Sequence, residues 1–214
     1  MKEQVEKEQT DKEQINRFAI NSEIVKEFII IIMGLTFANI IRECIISFKS
    51  SITSDNIGID PYHSTLFLLG FALLISVVRF YHGNVKLVVL EQAHDEGKPS
   101  FHQAYDFFMI IVEGAILSAL GFFIDRLNVF TVLVISLFIV DAIWFLSVMF
   151  SKELVKFERE KKTWFAISLF AGGILAAIVY GFKVSVVWAL IVILLFSALG
   201  DYALNFTFYF PKKL

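Results

Sequence analysis

One cysteine in 214 residues excludes an internal disulfide framework, and Cys44 sits inside an apolar run where a small buried side chain is its ordinary role. Charge is also scarce. Asp, Glu, Lys and Arg make up 19% of the chain against about 25% in a soluble domain, and the net charge of −2 offers no footprint for nucleic acid. Familiar chemical signatures are missing too. The chain has no glycine-rich phosphate loop, no His-Glu-x-x-His, no Gly-x-Ser-x-Gly elbow and no carbonyl-filter sequence of the potassium-channel type. Neither a cofactor nor a resident metal is expected, and an enzyme is the least favoured reading.

What the chain does have is apolar sequence, at 57%, with 24 phenylalanines. It is gathered into six runs, at 28–48, 65–83, 107–124, 129–150, 163–182 and 184–206. At 1.5 Å per residue each run can cross a hydrocarbon layer of about 30 Å. The runs lack the alternation of barrel strands, and backbone groups in lipid must be paired within the segment, so the expected form is helical. The predicted fold is therefore all-α, a polytopic transmembrane bundle of six spans over 28–210. It is preceded by a charged extension at 1–27 and followed by a short basic tail at 211–214. Within the extension the triplet Lys-Glu-Gln recurs at 2–4, 7–9 and 12–14. A five-residue step spirals around a helix and builds no apolar face, which reads as a solvated arm.

Orientation follows from Lys and Arg. Alternate connections carry fourteen on one side and three on the other. The positive-inside rule then predicts both termini in the cytoplasm, in a plasma membrane of the bacterial cytoplasmic kind. The first run begins after a leader of mixed charge with no small-residue cleavage site, so it is expected to insert as an uncleaved anchor. Trp164, Tyr202 and Tyr209 fall near the predicted inner interface, and Trp188 and Tyr180 near the outer one.

Polar residues inside the runs are the candidate site. A charged side chain at a helix centre costs about 2.5–3.5 kcal/mol on insertion scales, so such a residue should face the bundle interior. Arg79, Glu113, Asp141 and Asp201 fall in the predicted cytoplasmic half, as an ion or proton path or as structural ion pairs. With Arg79 the one permanent cation there, the expected pairing is Arg79 with Glu113 or Asp141. Thr36, Asn39 and Glu43 on the first run, Ser76 on the second, and Ser197 and Asn205 on the sixth recur at helical spacing as a candidate polar lining. His82 is a candidate pH sensor. Near it, Glu91, His94, Asp95, Glu96 and His102 could suggest a metal, but no two histidines have the i,i+4 spacing of a helical zinc site. Gly97-Lys98-Pro99-Ser100 reads as a turn, with Ser100 or Asp106 as helix cap.

Small residues recur as Gly114, Ser118, Gly121 and as Gly173, Ala177, Gly181, both suited to close helix contact. Two readings of function follow. The first is a small channel or an ion- or proton-coupled transporter. The other is a membrane sensor, effector or scaffold working through a cytosolic protein. The lipid bilayer is the expected environment, and both readings admit a homo-oligomer.

Overall fold

The structure is a computed structural model that describes residues 27–46, 61–92, 101–149, 158–181 and 185–210, together with positions 23 and 49; side chains are described over most of this but not at 61–63, 87–92, 101–103, 148–149, 158–159 or 161. These residues form seven helices: α1 (27–46), α2 (Pro61–Gln92), α3 (Phe101–Phe122), α4 (Leu127–Met149), α5 (Glu158–Gly181), α6 (Val186–Leu204) and the single turn α7 (Phe206–Tyr209). The first six are long and apolar enough to cross a membrane. The expected apolar helices are therefore all present. The arm at 1–22 and the His94, Asp95 and Glu96 cluster lie outside the described residues, as do the side chains of Glu91 and His102.

Successive long helices run antiparallel, so α2, α4 and α6 end where α3 and α5 begin. We call this the lower end. Helix α3 packs on α4, α4 on α5, α5 on α6, and α6 back on α2. Few residues join α2 directly to α3, and α1 lies along that seam. The small strip on α3 makes room for it: a Cβ on Gly114 would lie 2.7 Å from Ile32, and one on Gly121 would lie 3.1 Å from the Thr36 carbonyl oxygen. The α5 strip does something else. Among the described residues nothing stands within 4 Å of a Cβ built on Gly173 or Gly181, and Ala177 is exposed. Helix α5 instead turns Trp164, Ser168, Ala171 and Leu175 inward, at the i, i+4, i+7, i+11 spacing of one helical face.

Two ends differ from those read in the sequence. Helix α2 runs nine residues beyond 83, because Gly83-Asn84 is helix interior: the Asn84 amide donates to the Phe80 carbonyl at 3.1 Å. Asp106 is not a cap. It lies in the second turn of α3 and accepts the Trp144 indole N–H at 2.7 Å. At the other terminus α6 stops at Leu204, Asn205 leaves helical geometry, and α7 folds under the lower end with Phe208 and Tyr209 buried.

Candidate functional site

The lower end gathers the charged residues into two adjoining assemblies. Asp201 centres the first. It is completely buried on the inner face of α6, and an ionised carboxylate there must have its oxygens satisfied. Four donors from four elements do this. Arg79 Nε on α2 and the Tyr209 hydroxyl on α7 each donate to Oδ2 at 2.5 Å. Trp164 Nε1 on α5 donates to Oδ1 at 2.6 Å, and Asn205 Nδ2 donates to the same oxygen at 2.7 Å. Ionised hydrogen bonds of this kind are the short, strong ones. Arg79 is thus paired with Asp201, and the expected pairing with Glu113 or Asp141 is not found. The reason is azimuthal. Arg79 lies on the α2 face that packs on α6, whereas Glu113 and Asp141 approach from α3 and α4.

Several contacts hold α7 against this carboxylate. Lys86 Nζ donates to the Tyr209 carbonyl at 2.8 Å and stands 5.3 Å from the Phe208 ring centroid. The His82 ring lies 4.9 Å from the Tyr209 ring and 5.6 Å from Phe210, with Nδ1 at 3.5 Å from the Tyr202 hydroxyl. Burial pushes the Tyr209 phenol well above the ordinary tyrosine range, and Asp201 adds to this against the opposing pull of Arg79. The phenol therefore stays a donor at any physiological pH.

Glu113 and Asp141 form the second assembly. Both carboxyl groups are buried, and they interact with one another. Ser168 on α5 donates to Asp141 Oδ2. A hydrogen bond between two carboxyl groups needs a proton on one of them, since an ionised carboxylate can only accept. Glu113 Oε1 has no hydrogen-bond partner among the described residues. Arg79 feels both assemblies, bonded to Asp201 and in the electrostatic field of Asp141. Between them lies a cavity of about 20 Å³, lined by Arg79, Asn84, Glu113, Asp141, Trp164 and Tyr209 among others. Trp144, Phe145, Trp164 and Phe208 form a chain of ring contacts beside it, stacked, tilted and edge-on in turn, with centroids 5.0–5.3 Å apart.

Of the residues singled out from sequence, Arg79, Glu113, Asp141, Asp201 and Asn205 meet here, and His82 packs against the α7 side. The rest of the candidate lining does not join them. Thr36 donates to the Ile32 carbonyl and meets Ser118 at 3.1 Å, and Asn39 rests against Gly121, so this stripe forms the α1–α3 seam. Glu43 stands 3.9 Å from its exposed neighbour Arg42 at the opposite end. Ser76 bonds the Ala72 and Leu194 carbonyls, and Ser197 bonds that of Leu194, both within the α2–α6 seam.

Trp164, Ser168 and Tyr209 are site residues that the sequence reading did not assign. A signal for Tyr209 was present, since Ser197, Asp201 and Asn205 are four apart and one further step reaches it. Trp164 and Ser168 are likewise four apart, one turn on the inner face of α5.

Among the described residues, no group of three or more His, Cys, Asp or Glu side chains could hold a metal ion. No family model matches the chain, and neither the curated proteins nor the solved structures yield a match. Function must be argued from the geometry of the lower end.

Proposed function

We propose that this is a multi-pass protein of the plasma membrane, with both termini cytoplasmic, that works as a proton-coupled transporter through the carboxyl pair Glu113–Asp141. The distribution of side chains supports a lipid setting. Phe170, Phe196 and Val192 in the middle of their helices are more than half exposed, while Glu113, Asp141 and Asp201 are buried. The loop asymmetry supports a cytoplasmic lower end.

The observation that carries the reading is the buried acid pair with one oxygen left unpartnered. Arg79 is already neutralised by Asp201, so the pair's own proton count sets the local charge: −1 with one proton, zero with two. A charge near a helix centre costs about 2.5–3.5 kcal/mol on insertion scales, and the second proton removes a term of that order. Such a term is large enough to shift the balance between two conformations of the bundle. A carrier fits better than an open channel, because the polar stripes of α1, α2 and α6 are spent on helix seams.

Purified protein in liposomes tests this, with an imposed pH gradient and a low-molecular-mass cell extract supplied as cargo. Internal pH should change in wild-type vesicles and at least about tenfold more slowly with Glu113→Gln or Asp141→Asn, a loss of about 1.4 kcal/mol or more in barrier terms. Wild-type vesicles as tight to protons as protein-free ones would overturn the reading. A specific observation favours the second reading, a scaffold or sensor acting through a cytosolic partner. The saturated bonding of Asp201 is what a rigid lock requires, and a lock predicts lost stability with no proton flux.

A further inference from the structure

We propose that the cavity between the two assemblies binds one water molecule, which bridges the Arg79 guanidinium to Glu113 Oε1. The inference rests on the reading of Glu113–Asp141 as the proton-carrying pair and names what connects that pair to the Asp201 assembly. Three independent features converge on it. The cavity has a volume of about 20 Å³, and a water needs about 10–15 Å³ together with two to four polar partners. Glu113 Oε1 is a buried acceptor with no partner among the described residues, and Glu113 lines this cavity. Arg79, which lines it too, has five N–H donors. Among the described residues only its Nε–H is engaged, by Asp201.

A water placed here accepts from an Arg79 Nη and donates to Glu113 Oε1. Glu113 Oε1 then gains the donor it lacks. A metal cation would sit against a guanidinium with too few oxygen ligands, and a volume of about 20 Å³ suits a single water. An apolar gap would stay dry, but this one has an ionised Arg, a carboxyl pair and the Tyr209 hydroxyl on its walls. The bridge has a mechanical consequence. A second proton on the carboxyl pair changes what Oε1 asks of the water, and the water changes the donors left to Arg79. Arg79 holds Asp201, and Asp201 holds Tyr209 of α7. Protonation in the interior is thereby transmitted to the turn that closes the lower end.

Infrared difference spectra between low and high pH, taken on the full chain in lipid in ordinary and ¹⁸O-labelled water, test the bridge. We expect a discrete water O–H stretch that moves on isotope exchange. It should move again in Glu113→Gln and in Arg79→Lys, and stay in place in Thr131→Ala, whose hydroxyl bonds the Leu127 carbonyl near the opposite end of α4. Absence of an isotope-sensitive band, or one that Glu113→Gln leaves untouched, would overturn the bridge. The two proposals fail separately. Proton flux that depends on Glu113 without such a band removes the water and leaves the transporter. A band sensitive to Glu113→Gln in a protein that moves no protons removes the transporter and leaves the water.

Discussion

Asp201 and Glu113 are both buried acids at the same end of one bundle, and the structure treats them in opposite ways. Asp201 receives four donors, one of them a permanent cation, from α2, α5, α7 and the residue that ends α6. Glu113 meets another acid and keeps one oxygen without a partner among the described residues. A fully satisfied carboxylate gains nothing from a proton and loses bonds if its neighbours move, so it suits a lock. An acid pair with no cation of its own changes its local charge with every proton bound or lost, so it suits a moving part. Under the proposed function, one assembly supplies stability and the other the proton chemistry.

The largest expected effect is on the lock. Asp201→Ala strands Arg79 in the interior, and breaking a buried ion pair from one side costs about 3–5 kcal/mol. Reversible unfolding in mixed micelles should register that loss, and a change below about 1 kcal/mol would mean that Asp201 locks nothing.

Tyr209→Phe comes next. It removes one hydrogen bond to a charged acceptor, worth about 1.5–3 kcal/mol. The same variant should alter the response to alkali. The folded phenol is held above its unfolded value, so it contributes no penalty below about pH 10, and stability falls as pH rises beyond that. Wild type should show this alkaline decline and Tyr209→Phe should lack its share of it. Parallel stability–pH curves would contradict the placement of Tyr209 at Asp201.

The smallest expected stability effect belongs to Glu113→Gln, within about 1 kcal/mol of wild type, because an amide keeps the shape and can donate to Asp141 where the acid needed a proton to do so. Its unfolding curve should therefore overlay that of wild type even as flux collapses. A loss as large as that of Asp201→Ala would erase the distinction between the two assemblies.

Much of this arrangement is legible in the sequence. Apolar run length announces the six long helices, since a segment of about 20 residues has one simple way to pair its backbone in lipid. The charges inside the runs mark the positions that must turn inward, and Arg79, Glu113, Asp141 and Asp201 all do so. Spacing along a helix is weaker information. Gly173, Ala177 and Gly181 on α5 form a small-residue strip as Gly114, Ser118 and Gly121 do on α3, yet among the described residues only the α3 strip meets another helix. The Thr36–Asn39 stripe likewise could line a path or bury itself against a neighbour, and it buries itself.

The amino-acid sequence by itself determined which segments become helices, how deep each charge lies along them, and that these charges need partners. Depth is set by a rise of 1.5 Å per residue, a local property of the backbone. Which partner each charge takes was decided only by the tertiary structure. Arg79 and Asp201 are 122 positions apart, on helices that no short connection joins. Their meeting depends on how α2 and α6 rotate about their own axes when all the seams close together. Three carboxylates stood at a suitable depth for one arginine, and packing chose Asp201, leaving Glu113 and Asp141 to each other.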